Sequence, residues 1–229
     1  MNSLIIFDID GTLINYISAE DEAYLNAINE VVNIKGINRN WDEYNYSTES
    51  GILSEIFYNH LGRHPSLKEE SLIKTKYVSS LRKSLCETPN SCIAGAKEIF
   101  QKIKNLNWDI AIATGAWLES AKEKLSGSNI PEFNVPIAHG GDHPERKEII
   151  IKAINRAKDF YNKDYYHKII YVGDRPWDIK AALALNIDFI GVGQYLGTIN
   201  PKDFFHVEHY ETPDFLNYIK EITNLVISY

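Results

Sequence analysis

The sequence predicts an α/β protein of three layers, with a parallel sheet between two layers of helices and a mostly helical region inserted after the first strand. Two patterns support this fold class. In the second half of the chain, short apolar segments alternate with helical segments of about 10 to 15 residues, which is typical of consecutive β-α-β units. Between residues 16 and 87, apolar residues recur at helical spacing and no segment has the pattern of a strand.

The first strand is predicted at residues 4–7, where four consecutive apolar residues precede Asp8 and Asp10. A continuous apolar run that ends in a turn signal, here Gly11 and Thr12, indicates a strand buried on both faces. Such a strand lies inside the sheet, and open α/β sheets bind their ligands at the carboxyl ends of their strands. Two carboxylates at that place need a cation to balance their charge, and a divalent metal is the obvious candidate.

The inserted region is predicted to contain three helical segments. Because no strand is expected there, we assign residues 16–87 to a helical domain and residues 1–15 and 88–229 to the α/β domain. The apolar positions that define the three segments are Ala23, Ala27 and Val31, then Ile52, Ile56, Phe57 and Leu61, and finally Leu72, Tyr77, Leu81 and Leu85.

The rest of the chain alternates between helices and strands. Three strands end in polar residues, and the carboxyl ends of parallel strands share one edge of the sheet, so we expect Asp8, Thr114 and Asp174 to meet in one crevice. The helices are predicted at residues 94–105, 117–126, 145–159, 177–185 and 213–226, and the later strands at residues 109–114, 135–138, 168–173 and 189–192.

Composition limits the possible partners and location. The 229 residues carry a formal net charge of -7, which argues against nucleic acid as the main partner, because binding the phosphate backbone needs a basic face. The sequence shows neither a signal peptide nor an apolar run long enough for a membrane span, so we expect a cytoplasmic protein without a membrane partner. Cys86 and Cys92 have no metal-ligand spacing, and we expect buried, reduced thiols.

The two acids after the first strand suit phosphoryl transfer. A carboxylate beside a divalent cation can attack phosphorus, and Asp8 has that position. Asp10 lies on the same side of an extended backbone and can protonate a leaving oxygen and later activate water, although a turn cap is its simpler role. The hydroxyl of Thr114 and the backbone at Gly115 can hold phosphate oxygens, although Thr-Gly is also a common turn.

Two later segments add charge to the same crevice. Asp174 can complete an oxygen-rich site for Mg²⁺. Asp178 can hold a metal-bound water or a neighbouring cation, or simply stabilise the start of its helix. Either Arg146 or Lys147, at the start of the helix after the short third strand, could reach phosphate and nucleophile together, and the spacing leaves open which one does.

In this order, the four groups of residues resemble the motifs of the haloacid dehalogenase superfamily. The pattern is Asp-x-Asp-Gly-Thr on the first strand, Thr on the second, Lys or Arg before a later helix, and Gly-Asp-x-x-x-Asp. The resemblance covers essentially the whole chain, and the helical insert matches the first type of cap domain in that family. It implies a Rossmann-like core and a Mg²⁺-dependent phosphatase of phosphoglycolate-phosphatase type, acting on a small phosphomonoester.

The resemblance also implies roles for individual residues. Asp8 would form an aspartyl-phosphate, and Asp10 would be the general acid and base. The metal would be held by the side chains of Asp8 and Asp174 and by the backbone carbonyl of Asp10. Thr114 would bind phosphate, Gly115 would allow close approach of the backbone, and Lys147 or Arg146 would supply the positive charge.

The cap is expected to contribute to substrate selection. Residues 46–52 resemble the cap segment that faces the substrate in phosphoglycolate-phosphatase-like members, so Thr48 and Glu49 are candidate substrate-facing residues. Closing the cap is expected to bury this segment near Asp8. The substrate itself is left open among sugar phosphates, phosphoglycolate, nucleotides and polyol phosphates, and the oligomeric state between monomer and homodimer.

Other functions remain possible at this point. A haloacid dehalogenase of the same superfamily would not need Asp10, because a leaving halide requires no proton. A phosphomutase would need cap groups that reorient its intermediate, and the sequence does not identify them. A phosphoacceptor signalling domain would have no use for an insert of this size, which suits exclusion of water and selection of substrate. A non-catalytic binding protein would have no reason to keep all the charged positions.

Overall fold

The computed structural model describes residues 2–15, 18–87, 92–128, 130, 134–198 and 204–227. Its centre is a parallel sheet of six strands in the order β3-β2-β1-β4-β5-β6, which confirms the predicted fold class. The strands are β1 (Ser3–Phe7), β2 (Asp109–Ala113), β3 (Ile137–Ala138), β4 (Lys168–Gly173), β5 (Asp188–Val192) and β6 (Phe205–Val207).

Helices cover both faces of the sheet. Successive side chains of a strand point to opposite faces, and in β1 Ile5 and Phe7 join one apolar cluster while Leu4 and Ile6 join another. The first cluster includes residues of α4 (Ala96–Lys104), α5 (Leu118–Gly127) and α9 (Pro213–Ile227), and the second includes residues of α6 (Arg146–Tyr161) and α7 (Pro176–Ala184). Every residue of β1 is buried, as its continuous apolar run predicts.

The inserted region contains α1 (Ser18–Val32), a short 3-10 turn (Trp41–Glu43), α2 (Glu49–Leu61) and α3 (Leu67–Glu87). These helices share a third apolar cluster, in which Phe57 and Tyr77 are buried. Trp117 from the α/β part is fully buried in the same cluster, so the insert is docked on the sheet domain. We propose that residues 16–87 form a domain of their own, as their separate core suggests.

The structure corrects several sequence predictions. Leu61 and Leu72 are exposed rather than part of the core, because neighbouring positions of their helices face inward. β6 and the short helix α8 (Gln194–Gly197) were not predicted, and β3 has two residues rather than four. Both cysteines are free, but Cys86 is exposed and Cys92 half-buried, so the predicted burial is wrong. Within the described residues, no helix is long and apolar enough to cross a membrane.

Candidate active site

The loop after β1 places its acids at the carboxyl edge of the sheet. The backbone amide of Asp8 still pairs with the carbonyl of Val172 at 2.9 Å, so this residue continues the central strand. The chain then turns at Gly11, whose φ of +77° favours glycine. A Cβ added to Gly11 would lie 2.0 Å from Oδ2 of Asp174. The absence of a side chain at Gly11 therefore lets the loop after β1 contact Asp174. The Tyr210 hydroxyl donates to the carbonyl of Thr12 at 2.9 Å and so stabilises the turn.

Three carboxylates meet beside this turn. Asp8, Asp174 and Asp178 are all buried, and one oxygen of each lies within 4.8 Å of the others. Burial raises the pKa of Asp8 to about 7, with Arg146 opposing the shift and the charge of Asp178 adding to it. Burial, together with the charges of Asp178 and Asp8, holds the pKa of Asp174 well above its usual range. Buried carboxylates so close together require positive charge if they are to be ionised.

The donor set fits a hard divalent cation. Oδ1 of Asp174 is buried and has no hydrogen-bond partner among the described residues, whereas both oxygens of Asp178 are engaged by protein donors. Asp178 accepts from the Tyr171 hydroxyl at 2.9 Å and from the Arg175 amide at 3.2 Å. Oxygen-only ligands are those that Mg²⁺ prefers. Oδ2 of Asp174 accepts from Nε of Arg175 at 3.0 Å, so Oδ1 is the oxygen of Asp174 that is left for a cation, while both oxygens of Asp178 bind neighbouring protein groups.

Arg146 and Lys147 occupy different environments although they are adjacent. Arg146 begins α6, is buried, and places Nη1 2.9 Å from Oδ1 of Asp8. Lys147 has a side chain that is 46% exposed, with its nearest acids, Glu145 and Glu148, almost 4 Å away. Because successive helical residues point about 100° apart, only one of the two can face Asp8. The structure brings Arg146 to Asp8 and leaves Lys147 at the surface, so of the two alternatives Arg146 is the one that faces Asp8.

The turn after β2 lies against the same arginine. Thr114 is fully buried, and its hydroxyl oxygen accepts from the amide of Ala116 at 3.2 Å. A Cβ added to Gly115 would lie 2.8 Å from Nη2 of Arg146 and 2.4 Å from the carbonyl oxygen of Ser47. The glycine therefore allows backbone, guanidinium and insert to approach closely. Gly115 and Ala116 line the same cavity as Asp8.

That cavity has a volume of about 340 Å³ and lies between the sheet domain and the insert. The sheet domain contributes the charged groups already described. The insert contributes several aromatic and polar side chains, so both parts would contact a molecule bound there. Among the insert residues on the wall are Tyr24, Arg39, Trp41, Glu49 and Tyr77.

In the segment around Thr48, Thr48 and Gly51 are buried and the other residues half-buried, and the segment reaches Asp8 through Arg146. Nη2 of Arg146 donates to the carbonyl of Ser47 at 3.1 Å. The Thr48 hydroxyl accepts from the amide of Gly51 as the N-cap of α2, and donates to the carbonyl of Pro144 at 2.9 Å. Thr48 is fully buried by these contacts and is not on the cavity wall. Its small polar side chain docks the insert rather than facing a substrate.

Glu49 does line the cavity, but its carboxylate is also held by the sheet domain. Its oxygens accept from the amide of Trp117 at 2.7 Å and from the hydroxyl of Ser120 at 2.8 Å. The Tyr77 hydroxyl donates to the same carboxylate at 3.1 Å. Glu49 is thus both a wall residue and a link between the insert and the start of α5.

Sequence reasoning missed Lys124 in α5. Its side chain is only 4% exposed, and Nζ lies 2.9 Å from Oδ2 of Asp10 and 2.8 Å from Oε2 of Glu20. Burial opposes the charged form, but these facing carboxylates hold the pKa of Lys124 well above its usual range. The signal that could have found it is helical spacing, because Lys124 lies four and three positions after the buried residues Ser120 and Ala121.

Comparison with solved structures shows the same fold. The structure resembles a hydrolase from Pseudomonas syringae (19% identity, TM-score 0.69, covering 97% of this chain and 99% of that chain). It also resembles a predicted phosphoglycolate phosphatase from Haemophilus somnus (19% identity, TM-score 0.65, 95% and 98%). A third similar structure is CbbY from Rhodobacter sphaeroides in complex with phosphate (16% identity, TM-score 0.64, 91% and 95%).

No curated protein matches the sequence significantly. A family model does match: residues 5–192 fit the haloacid dehalogenase-like hydrolase family. The matched segment runs from the first strand through the insert to the end of β5, and so includes Asp8, Arg146 and Asp174. The chain therefore belongs to the haloacid dehalogenase-like hydrolases.

Proposed function

We propose that this hydrolase is a Mg²⁺-dependent phosphatase that cleaves a small-molecule phosphomonoester through an aspartyl-phosphate on Asp8. The observation that carries the proposal is the pairing of the buried Asp8 carboxylate with the Arg146 guanidinium at 2.9 Å, at the inner end of a cavity that also contains Asp10. A dianionic phosphate would find cationic and amide donors there beside a nucleophile. In similar structures, CbbY binds phosphate in one case and xylulose-(1,5)bisphosphate in another, which supports a phosphorylated small molecule.

The metal would be held by the side chains of Asp8 and Asp174 and by the backbone carbonyl of Asp10. The unpartnered Oδ1 of Asp174 and the crowding of three buried acids support this assignment. When bound, Mg²⁺ supplies positive charge that reduces the repulsion between a carboxylate nucleophile and a phosphate. Asp178 would keep the site in shape through its bonds to Tyr171 and Arg175.

In the first step, a carboxylate oxygen of Asp8 attacks phosphorus and the bond from phosphorus to the ester oxygen breaks. Asp10 donates its proton to that oxygen, so the alcohol leaves neutral. In the second step, the Asp10 carboxylate takes a proton from water as the water oxygen attacks phosphorus. The bond between phosphorus and Asp8 breaks, which releases inorganic phosphate and restores both side chains.

Two groups would stabilise the charge on the transferred phosphoryl group. The Arg146 guanidinium already faces Asp8, and Gly115, whose backbone amide follows Thr114, lines the same cavity. Donors that are in position before the reaction stabilise developing charge without reorganising during it. Thr114 is fully buried and is not on the cavity wall, so its hydroxyl, which accepts from the Ala116 amide, would hold the turn that carries Gly115.

The insert would exclude water while this chemistry proceeds. Ser47, Thr48 and Ser50 all bond to the sheet domain, through Arg146, Pro144 and Gly140 respectively. A substrate must enter while these contacts are open and is enclosed when they form. The same closure allows the insert to select among phosphoesters by the shape of the cavity.

The proposal is tested by phosphate release from p-nitrophenyl phosphate and from a panel of sugar, polyol and nucleoside monophosphates. The assay compares excess Mg²⁺ with excess EDTA for the wild type, for Asp8→Asn, and for Asp164→Asn as a matched control at an exposed position. We expect Mg²⁺-dependent release by the wild type and Asp164→Asn, and none by Asp8→Asn.

Release that survives Asp8→Asn would contradict the proposed nucleophile. A folded wild type that releases no phosphate from any ester would contradict the phosphatase assignment. Halide release from 2-haloacids under the same conditions would then favour the dehalogenase alternative.

A further inference from the structure

A buried cluster of charges links Asp10 to the insert. Nζ of Lys124 lies 2.9 Å from Asp10, 2.8 Å from Glu20 and 3.7 Å from Glu49. The side chains of Lys124 and Glu20 are each 4% exposed, so the contacts are shielded from bulk water. Charge pairs at such distances are weakly screened when they are buried.

The three acids come from three different parts of the chain. Asp10 belongs to the loop after the central strand and Glu20 to the first turn of α1, while Glu49 is the first residue of α2. Lys124 comes from α5 of the sheet domain. The ammonium group is therefore a common partner for the active-site loop and for two helices of the insert.

The contact with Lys124 orients the Asp10 carboxylate. Oδ2 is bound to the ammonium group, while Oδ1 has no hydrogen-bond partner among the described residues. One oxygen is thus held by the protein, and this contact fixes the direction in which the whole carboxylate points. Without Lys124, the Asp10 side chain would face Glu20 and Glu49 with no compensating cation in this cluster, and repulsion would favour another rotamer or an open insert.

We propose that Lys124 is a positioning residue that holds the Asp10 carboxylate in the orientation needed for proton transfer. This inference rests on the proposed phosphatase function, in which Asp10 protonates the leaving oxygen. Glu20 and Glu49 of the insert bind the same ammonium group, so the insert also contacts the residue that orients the general acid. The substrate class is that of the proposed function. Lys124, which would orient the general acid Asp10, lies outside the family motifs identified in the sequence.

The dependence on the leaving group provides the test. p-Nitrophenyl phosphate and phenyl phosphate are nearly alike in shape, but the nitrophenolate leaves without protonation far more readily than phenolate. In Lys124→Met, we expect kcat/KM to fall about 100-fold for phenyl phosphate and less than about tenfold for p-nitrophenyl phosphate, since general acid catalysis contributes roughly this much. Lys122→Met, an exposed change on the same helix, should leave both values near those of the wild type.

A double-mutant cycle shows whether Lys124 acts through Asp10. In the Asp10→Asn background, we expect Lys124→Met to lower kcat/KM for phenyl phosphate by no more than about twofold further. The effects of substituting two residues that act together do not add. Lys124→Arg, which keeps the cation, should retain part of the rate with phenyl phosphate that Lys124→Met loses. In the Asp10→Asn background, Lys124→Arg and Lys124→Met should have similar rates.

Lys124→Met leaves buried acids without a cation and could prevent folding. The same measurements are therefore made on Lys124→Met combined with Glu20→Gln, which removes one of the uncompensated charges and keeps the side-chain volume. Circular dichroism and thermal unfolding establish that each variant is folded. The leaving-group dependence is expected to be as steep in this double variant as in Lys124→Met.

Equal losses on the two aryl phosphates in a folded Lys124 variant would overturn the inference, because they would indicate a general structural role. Additive losses in the Asp10→Asn background would overturn it as well. Absence of wild-type activity on both aryl phosphates and on the ester panel would instead overturn the proposed function, and the inference with it.

Discussion

Gly115 is the point at which the turn after β2 meets the insert, and a methyl group added there is expected to disturb closure while leaving the sheet intact. In Gly115→Ala, the new Cβ would lie 2.4 Å from the carbonyl oxygen of Ser47. Real Cβ atoms are essentially never within 3.0 Å of such an atom, so the carbonyl must retreat by about 0.6 Å or more. The Arg146 guanidinium, 2.8 Å from the same Cβ, must move as well.

The expected loss of activity follows from this displacement. Ser47 accepts from Arg146, and Arg146 contacts Asp8, so the shift is passed to the nucleophile through two hydrogen bonds. A misplacement of about 1 Å in an active site can cost a factor of about 100. We therefore expect kcat/KM to fall about 10- to 100-fold. Because the insert can yield without opening the sheet core, the free energy of unfolding should fall by only about 1 kcal/mol, the lower end of the cost of overpacking.

The assay measures steady-state phosphate release with excess Mg²⁺, and urea unfolding under the same conditions. Gly127→Ala is the matched control, since its added Cβ meets only the flexible side chain of Leu85, at 3.3 Å. A Gly115→Ala enzyme with kcat/KM within about threefold of the wild type would refute the reasoning, because Ser47 would then not be held against Gly115 during turnover.

Three further outcomes follow from the site. Arg146→Met should lower kcat/KM about 100- to 1000-fold, as loss of a preorganised donor does, while Lys147→Met should change it little; equal losses in steady-state kinetics would contradict the placement of the two side chains. Burial raises the pKa of Asp8 from 3.8 to about 7, so this group's contribution to the stability of the metal-free protein falls as the pH rises through that interval. The increase in Tm on adding Mg²⁺ should therefore be larger at about pH 8 than at about pH 5, and an equal or smaller increase in thermal unfolding would count against a metal at Asp8. Tyr210→Phe removes the hydroxyl that bonds to Thr12 and should lower the free energy of unfolding by about 1 kcal/mol; an unchanged urea midpoint would show that this bond contributes nothing.

The sequence predicted the sheet well where local patterns are strong. The apolar run before Asp8 indicated a strand buried on both faces, and the structure places it at the centre of six strands. β6 escaped prediction because Phe205–Val207 is a three-residue edge strand with a polar residue in its middle. Such a segment becomes a strand through pairing with β5, and its own residues carry little sign of it.

The candidate site was predictable to the extent that it follows from topology. Asp8, Thr114 and Asp174 each follow a strand, and parallel strands bring their carboxyl ends together, so their proximity could be expected from their order alone. Which of Arg146 and Lys147 faces Asp8 could not be predicted, because it depends on how α6 is rotated about its own axis where it packs on the sheet. Lys124 was missed for the same reason, since a lysine in a polar helix is ordinarily exposed.

The fold class, the family resemblance and the acids at the sheet edge could all be inferred from the sequence, because they depend on short-range periodicity and on residues adjacent along the chain. Which side chains meet across elements depends on tertiary packing. It placed Arg146 on Asp8 and Lys124 on Asp10, and it turned Thr48 from the cavity to the docking contact with Pro144. These outcomes depend on helix phase and on how the insert docks, and both are set by packing between parts of the chain that are far apart in sequence.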